Sequence, residues 1–236
     1  MPDPNRFRDD PLLRLPGLAT LAAARAAELK CMDEYGREIF DLWFSGKAPA
    51  EVVLDSRKWA AYMQADAGLG EQIDRHLTKF ALRYRDDFFL RSPGANPVAP
   101  NQLYRISFHA EVGSTYGGYL TGYAQLHGSN RDVGDFQMEG MVSMAPAPGS
   151  GSELEFTFTN NLLIFNDKVD PNYKYNMDDV FANLAKKLGA ASGGAPPKDY
   201  IVRIRWREPG PWTYRIPAAP SKPGAPDWLP QFPGRP

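Results

Sequence analysis

The sequence predicts an α+β fold: a helical N-terminal part, then a mainly antiparallel, barrel-like β-sheet with one short helix. Three observations predict it. Apolar residues recur at helical spacing up to about residue 90. The stretch RSPGANPVAPN, 91–101, then interrupts with its prolines. Beyond it the apolar period falls to two. The expected organisation is a helical region over 1–95, an α+β domain over 96–210 and a proline-rich tail over 211–236.

The segment GLATLAAARAAELK, 17–30, is rich in strong helix formers. DEYGREIFDLWF, 33–44, continues in helical rhythm, with Ile39, Phe40, Trp43 and Phe44 on one face. GKAP at 46–49 breaks it, and a further helix is predicted over 56–66. The longest is predicted over 70–90, where Ile73, Leu77, Phe80, Ala81, Tyr84 and Phe88 form an apolar stripe. His76 lies beside that stripe, in a packing or surface role.

Strand signals follow. In 103–112, Tyr104, Ile106, Phe108, Ala110 and Val112 point one way and Arg105, Ser107, His109 and Glu111 the other. Similar alternation marks 119–127 and 135–144, and ELEFTFTNNLLIF, 153–165, reads as one or two further strands. DDVFANLAKKL, 178–188, is a short helix that an Asp starts and Gly189 stops. YIVRIRWR, 200–207, is the cleanest strand, and the tail from 208 is expected to be irregular.

Composition narrows the function classes. Apolar residues make up 43% of 236, enough for a sizeable core. A net charge of −1 with no long run of one sign argues against binding nucleic acid through bulk charge. The single cysteine, Cys31, excludes an intrachain disulfide and a cysteine-based zinc site. Histidines number only three: His76, His109 and His127. No apolar stretch approaches the ~20 residues of a membrane-spanning helix. The start, MPDPNRFRDD, lacks the apolar core of a secretory signal, so export would proceed without one.

Three constellations bear on chemistry. Arg203, Arg205 and Arg207 share one face of the strand 200–207, with guanidiniums about 7 Å apart along it. Such forks suit phosphate or carboxylate oxygens; the same comb also serves a solvent-facing strand that pairs with neighbouring acids. Asp167 and Asp170 flank a turn in FNDKVDPNYKYN, 165–176. Paired carboxylates there offer oxygen ligands to a hydrated divalent cation, or serve as ordinary turn and capping residues. His109 and His127 fall on polar faces of predicted strands, where neighbouring strands would bring them together as general base and ligand.

At FNDKVDPNYKYN, followed by DDVFANLAKKLGAASGGAPPKDYIVRI, the chain resembles the activity domain of the colicin M family. It is also similar to the colicin-M-like domains encoded near type VI secretion genes, whose helical part IFDLWFSGKA, 39–48, resembles. The likeness lies in the order of parts: a β-rich region, an Asp-x-x-Asp turn, an amphipathic helix ending in Leu-Gly-Ala, and a closing strand. In that family the turn is Asp-x-Tyr-Asp and a His-Arg pair follows. Here Asp167 and Asp170 match the aspartates, Val169 stands at the tyrosine, and Tyr175 and Asn176 stand near the place of the pair.

The resemblance implies an antibacterial effector that cleaves lipid II between the polyprenyl chain and the pyrophosphate. It implies Asp167 and Asp170 as catalytic groups and ligands of a divalent cation, magnesium being expected. His109 and His127 are expected to assist in place of the missing pair. Arg203, Arg205, Tyr173 and Tyr175 are expected to bind substrate. Expected partners are a lipid-linked substrate at a membrane surface, an immunity protein and a secretion apparatus, with no nucleic acid. The expected place of action is the target-cell periplasm. The alternative is a catalytically degenerate colicin-M-like module that binds or adapts within a secretion system.

Overall fold

A computed structural model describes residues 32–110, 112, 126, 135–169, 196–208 and 210–219. The helix expected over 17–30, Cys31, the strand expected over 119–127, the helix expected over 178–188 and the end of the tail lie outside the described residues.

The described helices are α1 (Glu34–Phe44), α2 (Arg57–Gln64) and α3 (Ala67–Arg91). Each opens on a polar cap, because the first N–H groups of a helix have no partner within it. Asp33 accepts from the N–H of Gly36, Ser56 from Trp59, and Asp66 from Leu69. At the end of α1, Gly46 adopts a φ of 65°, the left-handed turn that stops helices.

The strands are β1 (Glu51–Leu54), β2 (Ala99–His109), β3 (Asp135–Pro146), β4 (Glu153–Val169), β5 (Tyr200–Arg207) and β6 (Trp212–Pro217). Among the described residues they form a six-stranded sheet in the order β1-β5-β4-β3-β2, with β6 paired to β4. The β2–β3, β3–β4 and β4–β6 pairings are antiparallel. The fold is α+β, as the periodicity predicts, and among the described residues β1 and β2 end the strand order, so the described sheet is not closed.

Two strands differ from expectation. β1 lies in a region read as helical; EVVL is too short for its β-branched pair to declare a period. β6 lies in a tail read as irregular. Trp212, Tyr214 and Ile216 alternate inward there, and flanking prolines concealed that alternation.

β4 is one strand of 17 residues, and its alternation changes parity midway. Leu154, Phe156 and Phe158 are buried, then Asn161, Leu163, Phe165, Asp167 and Val169. Between the partners Glu139↔Leu162 and Met141↔Thr159, β4 carries one residue more than β3. That is a β-bulge. Asn160 absorbs the extra residue, exposed and at a φ of 55°, so both halves keep their apolar sides inward. Asn161 turns inward instead; it accepts from the Tyr104 hydroxyl at 2.7 Å. Gly140 opposes the bulge because nothing larger fits: a Cβ there would meet the Thr159 carbonyl oxygen at 2.5 Å.

The chain divides into two compact units, one drawn from 1–52, 112–133 and 167–202, the other from 53–111, 134–166 and 203–236. In the first, α1 buries Ile39, Phe40 and Trp43. The Trp43 indole N–H donates to Asp199 Oδ1 at 2.9 Å, and the Tyr200 hydroxyl donates to the Ile39 carbonyl at 3.0 Å. In the second, α3 packs on β2 and β6. Ile73, Leu77 and Ala81 are buried, each large side chain contributing roughly 1.5–3 kcal/mol of apolar burial. Phe80 and Tyr84 meet Tyr104, Phe156 and Phe158 in tilted and edge contacts. The Tyr214 hydroxyl donates to Asp74 at 2.6 Å, and buried Arg85 donates to the Pro217 carbonyl at 2.8 Å. Among the described residues no helix is long and apolar enough to cross a membrane.

Candidate functional site

The described interior of this protein holds few polar side chains: Asp66, Thr78, Arg85, Asn161 and Asp167. Four of them close structural features. Asp66 caps α3, and the Thr78 hydroxyl donates to the Asp74 carbonyl. Arg85 ties α3 to β6, and Asn161 fills the bulge of β4.

Asp167 is the fifth, with 1% of its surface exposed. The sequence reading placed it in a turn; it stands instead within β4, on the inward side with Phe165 and Val169. The Asn166-Asp167 pair carries turn propensity, but the apolar residues on either side of Asp167 continue the alternation and hold the strand. Its Oδ1 accepts the N–H of Lys168 at 2.8 Å. A carboxylate is held in an interior only where hydrogen bonds, opposite charge or a metal offset its desolvation.

Two arginines of the comb are engaged by neighbours. Arg203 Nε donates to Asn166 Oδ1 at 2.8 Å, and Arg205 pairs with Asp55 at 2.9 Å across an exposed surface. Arg207 is exposed. Alternation along β4 puts Asn166 on the opposite side of the strand from Asp167. The sequence reading missed Asn166 and Asp55 as partners. Asn166 had a signal, since it alternates with Phe165 and Asp167; Asp55 follows β1, a strand the periodicity did not reveal.

His109 ends β2, exposed, with Asp135 as its register partner. Asp170, His127, Tyr173 and Tyr175 lie outside the described residues. His76 stacks flat on Phe108, with ring centroids 4.0 Å apart, and so packs as expected. Burial, then Arg75 and Lys79, hold its pKa below the ordinary histidine value. Burial, then Glu139, raises the Tyr104 phenol; burial, then Glu38, raises that of Tyr200. Both therefore stay neutral hydrogen-bond donors.

Among the described residues no group of three or more His, Cys, Asp or Glu stands together to hold a metal ion. Asp167 has the oxygen chemistry that a hard divalent cation takes. Asp170, the second expected ligand, is outside the described part.

No protein-family model matches the chain, and no curated protein matches it in sequence. Among solved structures it is similar to PaeM, a colicin M-like bacteriocin produced by Pseudomonas aeruginosa, at 9% identity and a TM-score of 0.35. That alignment covers 78% of this chain and 50% of PaeM, so the chain spans half the length of that protein.

Proposed function

We propose that this protein is an antibacterial effector that hydrolyses a lipid-linked pyrophosphate, lipid II, in the envelope of a target cell. The observation that carries the reading is the burial of Asp167 at the first position of the Asp-x-x-Asp sequence that resembles the colicin M family. In this reading Asp167 activates the attacking water, with Asp170 three residues on in sequence. Water adds across the bond between the polyprenyl chain and the pyrophosphate, releasing the polyprenol and a pyrophosphorylated headgroup. Asp167 and Asp170 would also be the ligands of a magnesium ion, which when bound would offset the charge of the pyrophosphate. Arg203 and Arg205, the expected substrate-binding groups, stand outside this reading: Arg203 holds Asn166, on the side of β4 opposite Asp167, and Arg205 pairs with Asp55. Action is in the target-cell periplasm, after delivery by a contact-dependent secretion apparatus, and an immunity protein guards the producer.

A second reading, a catalytically degenerate binding or adaptor module, draws support from two departures. Val169 stands at the family tyrosine, and Tyr175 and Asn176 stand near the place of its His-Arg pair. Expression in the two compartments of a susceptible bacterium separates the readings. The enzyme kills from the periplasm, where the lipid-linked headgroup is exposed, and not from the cytoplasm. Equal killing from the cytoplasm points to an intracellular target. No killing from either place favours the binding module.

A further inference from the structure

We draw no further inference here: the strongest candidate, the surface patch at exposed Leu103 on the outer strand β2, carries nothing because nothing in the structure shows what covers it.

Discussion

Tyr104 shows how a single hydroxyl can hold a feature of the backbone. Its O–H donates to buried Asn161, whose amide in turn donates to the Phe158 carbonyl at 3.4 Å. Tyr104→Phe keeps the ring contacts and removes the donor. It leaves the Asn161 oxygen short of a partner, at a cost of about 1–3 kcal/mol in chemical denaturation. An unchanged midpoint would show that the bond contributes nothing net. His76 makes a prediction about pH. Its folded pKa lies below the ordinary value of 6.5, so the unfolded chain takes up the proton first as pH falls. This contribution is fully present above 6.5 and is lost progressively as pH falls below it towards the folded pKa. His76→Phe retains the stack on Phe108 and removes the titration. The slope of stability against pH just below 6.5 is expected to be shallower in the variant than in the parent. Parallel slopes would contradict the assignment.

At the scale of elements, β4 is where the backbone depends most closely on its sequence. The bulge needs a small residue opposite and a residue tolerant of positive φ at its crest. Gly140→Ala drives a Cβ into the Thr159 carbonyl, which is backbone and cannot swing aside. A loss of about 1–3 kcal/mol in unfolding free energy is expected, and a neutral substitution would mean that the strands part more easily than the close approach implies. Much of this level was legible beforehand. The stripe of α3 and the alternation of β2, β3 and β5 are long enough to declare their period. The parity change in β4 was not, because EFTFT and LLIF each alternate or run apolar alone, and only the pairing with β3 shows that Asn160 is the surplus residue. β1 and β6 escaped for the same reason: each needs a neighbouring strand before so few residues are distinguishable from a loop.

At the scale of the whole molecule, the candidate site was legible in composition and only partly in placement. The sequence singled out Asp167 and the arginines by residue type and spacing. It could not show that Asp167 is interior, because burial depends on strands distant in the chain. It also could not show that Arg203 and Arg205 are engaged by Asn166 and Asp55. The account rests on Asp167 being a buried carboxylate kept for chemistry rather than for packing. Asp167→Asn tests that most directly. The amide keeps the size of the side chain and its capacity to accept the Lys168 N–H, but lacks the charge that a general base needs. The measurement is survival of susceptible cells expressing the parent or the variant in the periplasm, beside thermal melts of both purified proteins. The account predicts that the variant stays folded, and that killing falls by roughly 100-fold or more. A folded Asp167→Asn protein that kills as well as the parent would contradict it.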